Sequence, residues 1–234
     1  MKLKLIILTA VLCLTTVSCS EKKENSYSSN EVSVNSSVDS VVTDNDNNHN
    51  IDLPESRAVM KEKYKDVPEV SEGAVISVSN TTAKAGEIAE VTVSLEGKDV
   101  KWNMCGMHLA YPEELKCIYP EDEEIMLEFE QGEAVKRNTG LIVMEWKKEN
   151  NPPAELVNKK LGSLFFTVTF NKDDGKDGDI LTVYFKVPED AKSGTVYPID
   201  FYYMESDIFR NLDNDPSFEK YAFEHTQAGS ITVE

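Results

Sequence analysis

Ala89-Glu90-Val91-Thr92-Val93-Ser94-Leu95 is the stretch that decides the fold. In an extended chain successive side chains point to opposite faces, so Ala89, Val91, Val93 and Leu95 share one face and Glu90, Thr92 and Ser94 the other. One face is dry and one is wet: this is a half-buried β-strand. Just upstream, Val75-Ile76-Ser77-Val78-Ser79 repeats the pattern, with the Ala85-Gly86-Glu87 turn between the two. Downstream, further runs fall at Met104–Tyr111, Leu115–Tyr119, Leu141–Trp146, Leu164–Phe170, Ile180–Val187, Thr195–Tyr203 and Ser230–Glu234. Their separators are turn chemistry: Tyr111-Pro112-Glu113-Glu114, the polar loop Asn171–Asp179 with Gly175 and Gly178, and Pro188–Gly194. Proline cannot continue a central ladder, and glycine-punctuated polar loops reverse the chain. Nine short strands with little helical periodicity predict an all-β fold, a nine-stranded antiparallel β-sandwich of jelly-roll type spanning residues 73–234. Pro216–His225 is predicted as a short helix near the C-terminus, anchored by Phe218, Tyr221 and Phe223.

Outside that block the composition changes. Residues 20–72 are rich in Ser, Asn, Asp and Glu, hold no glycine, and have Tyr27 and Tyr64 as their only aromatics. Such a segment buries too little apolar area to offset its ordering entropy and is assigned as a disordered linker. Its Arg57–Tyr64 stretch has helical potential but nothing that demands a fixed structure. At about 50 residues, a flexible chain spans roughly 40 Å. Residues 1–19 read as a secretory signal: Lys2 and Lys4, an apolar run from Leu5 to Leu14, then small residues. Thr16-Val17-Ser18-Cys19 is similar to the lipobox of bacterial lipoproteins, although Thr16 stands where an aliphatic residue is usual. Cys19 is the expected lipidation site; ordinary cleavage near Ser18 is the alternative. The expected location is extracellular, held at the membrane surface only by that N-terminal lipid.

The formal charge of −18 becomes −20 when Lys2 and Lys4 leave with the signal. Such acidity offers no cationic stripe for nucleic acid and no polybasic patch for a membrane, and it favours a monomer. Asp173–Asp179 fails as an EF-hand loop in both registers that place a glycine at the sixth position, so no metal is assigned. His49, His108 and His225 sit in no nucleophile motif, no glycine-rich phosphate loop exists, and a carboxylate pair among 42 acidic residues has no specificity. A non-catalytic role is the expectation, with no cofactor. Cys105 and Cys117 lack zinc-site spacing; they are read as two buried thiols, with a disulfide as the alternative.

Several segments, in order, resemble the cohesin family, the modules that hold dockerin-bearing proteins in cellulosomes. Val75–Val78, Thr82-Ala83-Lys84-Ala85-Gly86-Glu87 and Val91–Leu95 are similar to the family's opening hairpin. Met107-His108-Leu109-Ala110-Tyr111-Pro112-Glu113-Glu114-Leu115 resembles its third strand and exit. Phe185-Lys186-Val187 with Ala191-Lys192-Ser193-Gly194 resembles a later strand and turn, and Ala228-Gly229-Ser230-Ile231-Thr232-Val233 the closing strand. The likeness covers residues 73–234, and the Glu121–Gly140 and Asp207–His225 insertions look closer to divergent cohesins of rumen bacteria. The resemblance implies a cohesin-like sandwich that captures dockerin-bearing proteins, with calcium carried by the dockerin and not by this chain.

It also implies a docking face built from the family's strands three, five, six and eight, matched here to Met104–Tyr111, Leu164–Phe170, Ile180–Val187 and Thr195–Tyr203. Period two assigns the outward side chains: Met104, Gly106, His108 and Ala110; Phe165 and Thr167; Thr182, Tyr184 and Lys186; Asp200 and Tyr202. These are the candidate dockerin-binding residues, apolar and aromatic beyond what a solvated face carries. The Glu121–Gly140 insertion is the element that would otherwise cover them. A carbohydrate-binding sandwich and an Ig-like envelope adhesin are the rival readings. Trp146, alternating with Met144 and Ile142, is read as buried, which counts against the sugar-binding one.

Overall fold

A computed structural model of the chain describes residues 50–97, 100–135 and 140–234. The signal, Cys19 and the linker as far as residue 49 lie outside the described residues. The elements follow in order: α1 (Pro54–Tyr64), β1 (Val75–Val78), β2 (Asn80–Ala83), β3 (Ile88–Glu96), β4 (Met104–Pro112), β5 (Lys116–Cys117), β6 (Phe129–Gln131), β7 (Ile142–Glu145). After a 3-10 turn at Lys148–Asn150 come α2 (Ala154–Asn158), β8 (Leu161–Thr169), β9 (Gly178–Lys186), β10 (Val196–Tyr202), β11 (Ile208–Arg210), α3 (Pro216–Glu224) and β12 (Gly229–Val233). All nine expected runs form strands; β2, β6 and β11 are additional short ones among the described residues.

Two sheets stack. One runs β1-β3-β9-β5 with β6 also on β9; the other runs β2-β12-β10-β4-β8-β7 with β11 also on β4. Pairing is antiparallel except between β12 and β2, which run parallel with Ile231 opposite Thr81. The alternation of Ala89–Leu95 holds residue by residue: Ala89, Val91, Val93 and Leu95 are buried. They meet Met107, Leu109, Phe166, Val168, Ile199 and Phe201 from the facing sheet in one core. Fully buried Trp102 closes one end of it, edge-on to Phe170 with ring centroids 5.2 Å apart. Tyr111 lies T-shaped on Phe185 at 4.9 Å. Gly162 makes room for that tyrosine, since a Cβ there would come within 2.5 Å of the ring.

The first correction is to the domain boundary. The segment from Ile51 to Glu72, assigned to the linker, is structured and packed on the sandwich. Leu53 and Tyr64 are buried, with Tyr64 against Phe223 of α3 at 5.9 Å. The helix begins with Pro54 at its first turn, and no side chain of its own caps it. Glu155 of α2 does so instead, accepting the Glu55 and Ser56 N–H groups at 3.0 Å each. A buried carboxylate at a helix N-terminus satisfies orphan donors and complements the dipole. Ser56 Oγ accepts the Tyr203 N–H, and Lys63 donates to the Asp207 carbonyl at 2.6 Å. Because the cap comes from a hundred residues away, the local sequence carries no start signal for this helix.

The Glu121–Gly140 insertion, the element that would otherwise cover the candidate face, runs in its described part along one edge of the sandwich, with Glu124 and Ile125 at the border of the face. Leu127 N–H donates to the Val143 carbonyl of β7 at 2.9 Å, while β6 pairs with β9 in the other sheet. The insertion thereby bridges the two sheets. Both cysteines are free: Cys105 is buried and Cys117 partly so. Burial pushes both thiol pKa values up and keeps them protonated.

Candidate partner-binding face

The outer face of the seven-stranded sheet carries most of the candidate residues, and its two halves differ. Along β4, the outward His108 and Ala110 are 7% and 0% exposed, so something covers each of them. Over the β4–β10 half that cover is α1 and α2. Leu53, Ala110, Leu156 and Tyr202 form a small second core, with Ile51, Leu161 and Met204 against it. Asp200 lies beneath the same cover. Its Oδ2 accepts from the Ile51 N–H and from Arg57 Nη2, both at 3.1 Å, and its Oδ1 accepts from the Phe201 N–H at 2.8 Å. Burial raises the carboxyl pKa above its ordinary value, opposed by those hydrogen bonds and the Arg57 charge. Ala110, Asp200 and Tyr202 are outward on the sheet as predicted, yet the chain's own N-terminal helix occupies their surface.

The other half, over β4, β8 and β7, stays open. Phe165 and Thr167 project from β8 beside Gly106 and His108, with His108 opposite Phe165 and Gly106 opposite Thr167. Met104, partly exposed, stands at the far end opposite Arg210. The ring of His108 packs on Phe165 at 4.7 Å and on Trp146 at 5.4 Å. These rings, with Met144, Ile125, Lys147, Glu124, Glu145 and Asn150, line a cavity of about 370 Å³. A side chain of bulky aliphatic or aromatic size fits such a cavity.

A local irregularity holds His108 in place. β10 and β11 both pair with β4, Tyr202 opposite His108 and Ile208 opposite Gly106, so Tyr203–Asp207 bulges where one residue would have served. The bulge brings Asp207, 2% exposed, to His108 Nδ1 at 2.7 Å; its other oxygen accepts the Met204 N–H. With Nδ1 fixed, Nε2 is the nitrogen left to the cavity. On the rim, Glu123 Oε1 accepts the N–H groups of Glu124, Ile125 and Met126 at 2.9, 2.7 and 3.2 Å. The bonds from Ile125 and Met126 hold the Glu123 carboxyl below its usual value, and the turn presents Ile125, 65% exposed.

Three candidates belong elsewhere. Thr182, Tyr184 and Lys186 lie on β9, which pairs with β3 in the other sheet, so they face the opposite side of the molecule. Period two tells inside from outside but not which sheet a strand joins. Thr182 meets Thr92 hydroxyl to hydroxyl at 2.9 Å, and Lys186 donates to the Gly86 carbonyl. The Tyr184 phenol is pushed up to about 12 by burial and by Glu130. These are ordinary polar contacts of a solvated sheet.

The strand that replaces them is β7, whose outward residues were missed. Ile142, Met144 and Trp146 do share a face, as their alternation indicates, but it is the outer one: Val143 is fully buried while Ile142 is 37% exposed. With apolar residues on both sides, the run has no single dry face, and that doubling was the available signal. Among the described residues no group of three His, Cys, Asp or Glu side chains gathers as a metal site.

No protein-family model matches the chain, and no curated protein does. Solved structures do. A type III cohesin module from the cellulosomal ScaE cell-surface anchoring scaffoldin of Ruminococcus flavefaciens is similar at 20% identity and a TM-score of 0.55, over 70% of this chain and 88% of that one. A cohesin of OlpC from Clostridium thermocellum, solved with a dockerin, aligns at 16% identity and 0.49, over 72% and 98%. The third ScaC cohesin of Acetivibrio cellulolyticus, in complex with the ScaB dockerin, aligns at 17% and 0.46, over 68% and 98%. The sandwich is a cohesin-like fold.

Proposed function

We propose that this chain is a non-catalytic binding module that captures dockerin-bearing proteins and holds them at a bacterial cell surface. The docking site is the open half of the seven-stranded sheet: Ile142, Met144, Trp146, Phe165 and Thr167, with His108 and Gly106 buried beneath them. One observation carries the reading. On a body of charge −18, His108, Met144, Trp146, Phe165 and Ile125 border a preformed cavity whose lining is completed by Glu124, Glu145, Lys147 and Asn150. Aromatic and methionine side chains with polar and charged groups around them are the composition of a protein-interface core and its rim. Likeness to a cohesin module of a surface-anchoring scaffoldin supports the same direction. Cys19 is the lipid anchor in this reading, residues 20–49 the spacer, and calcium belongs to the partner.

The test is a pull-down from secreted proteins of the source organism, using the full chain, run with calcium and with chelator. Recovery of dockerin-bearing proteins with calcium alone is the expected result, and its loss in Phe165→Ala and Trp146→Ala places the site. Equal recovery by these variants, or none by the unaltered chain, refutes it.

A further inference from the structure

A second, larger cleft of about 740 Å³ opens where β7 and β8 end, beside β5 and the loop into α2. It lies within the usual size range of small-ligand sites, roughly 300–1,000 Å³. Glu145, Trp146 and Lys147 form the wall it shares with the smaller cavity on the sheet face. The indole Nε1 donates to the Asn150 carbonyl at 3.1 Å, which fixes the ring. The sequence had placed this tryptophan in the core; in the fold it borders two cavities.

Within this acidic protein the cleft lining is balanced. Glu113, Glu145 and Glu149 stand against Lys116, Lys147 and Lys160. A site built for an anion or a cation would carry an excess of the opposite sign. Leu115, Val157 and Pro152 add apolar surface. The cleft therefore suits a neutral ligand with both C–H faces and many hydroxyls.

Two further features are specific. Glu145 is preorganised: Oε1 accepts from Tyr111 Oη at 2.9 Å and Oε2 from Tyr119 Oη at 2.5 Å. A carboxylate has about four lone-pair sites, so each oxygen keeps one for a further donor. Two adjacent acceptors at that spacing match a vicinal diol. At the back of the cleft Ser163 is 1% exposed, and its Oγ has no hydrogen-bond partner. An orphaned buried hydroxyl is uncommon and calls for a missing partner.

We propose that this cleft binds a neutral saccharide unit, with Trp146 against a C–H face of the sugar ring, Glu145 accepting from two neighbouring hydroxyls, and Ser163 engaging a further one. Lys147 and Lys160 donate at the rim. The cleft adjoins the sheet-face cavity and shares Glu145, Trp146 and Lys147 with it, whereas Ser163 and Lys160 line the cleft and not that cavity.

The test is a titration of the ¹⁵N-labelled full chain with maltose, cellobiose and lactose, followed at backbone amides. Galacturonate, glucosamine and a neutral hexapeptide serve as controls, at concentrations on the order of 10 mM. The expected result is saturable shifts at residues 145–147 and 160–163 with at least one neutral disaccharide. Glu145→Gln, which loses one acceptor oxygen and the charge, weakens binding about tenfold. Trp146→Phe and Ser163→Ala each weaken it several-fold, and amide dispersion verifies the fold of each variant. Should Glu145→Gln fail to fold, the other two decide. No shifts with any saccharide, tighter binding of the uronate, amino sugar or peptide, or affinities unmoved in the folded variants would each overturn the site.

Discussion

Two halves of one sheet face meet different fates. On the β4–β10 side Ala110, Asp200 and Tyr202 are sealed beneath α1 and α2; on the β4–β8–β7 side His108, Phe165, Met144 and Trp146 surround an open cavity. The alternation that points these side chains outward is the same in both. What separates them is a helix from a polar segment, held by a cap that α2 lends it. Outward on a sheet is therefore not the same as exposed, and only the open half is available to a partner.

Mutations on the two halves should break in different currencies of measurement. The largest effect is expected at Leu53→Ala, which empties the fully buried position joining α1 to the sheet. Unfolding stability should fall by about 3 kcal/mol in urea denaturation, with partner affinity of the folded fraction unchanged. Phe165→Ala, on the open half, should do the reverse. Affinity for the captured partner falls by about 2 kcal/mol in calorimetry, while stability shifts by less than about 1 kcal/mol. If both variants lose stability and affinity together, the division between halves is wrong.

Asp200→Asn sharpens the contrast through pH. The raised carboxyl pKa of Asp200 means that the folded state favours its protonated form. Its contribution to stability is thus fully present below the ordinary value of 3.8 and is lost as pH rises through the higher folded one. Stability of the Asn variant relative to the native chain should accordingly be highest at about pH 7 and decline towards about pH 4. A relative stability that grows on acidification would show that the Arg57 pair outweighs burial. The smallest effect belongs to Tyr184→Ala. On the opposite sheet, it should leave partner affinity within the error of the measurement.

Much of this architecture was legible in the chain. Ala89–Leu95 occupies the two faces assigned to it, and β4 buries Cys105, Met107, Leu109 and Tyr111 as alternation required. Strand identity came from local pattern, which is where sequence is informative. Sheet membership did not: nothing within Thr182–Lys186 says that β9 pairs with β3 and not with β4. Trp146 was placed on the wrong side because Leu141–Trp146 is apolar on both faces, so phase alone left its orientation undetermined. The α1 cover was hidden for another reason, its low amphipathicity and remote cap leaving no periodic or capping signal. The Asp207 partner of His108 depends on a bulge in the β10–β11 connection, a feature with no local signature.

The point where α1 enters the fold has a mechanical consequence. The chain reaches the sandwich at Ile51, hydrogen-bonded to Asp200, with Arg57 on the same carboxylate. A pull on the N-terminus acts first on those bonds and on Leu53, and must strip α1 from the sheet before tension reaches β1. The bond from Lys63 to the Asp207 carbonyl lies along that path, and Asp207 holds His108. Traction applied at the N-terminal end of α1 is thereby delivered to the sheet surface around His108.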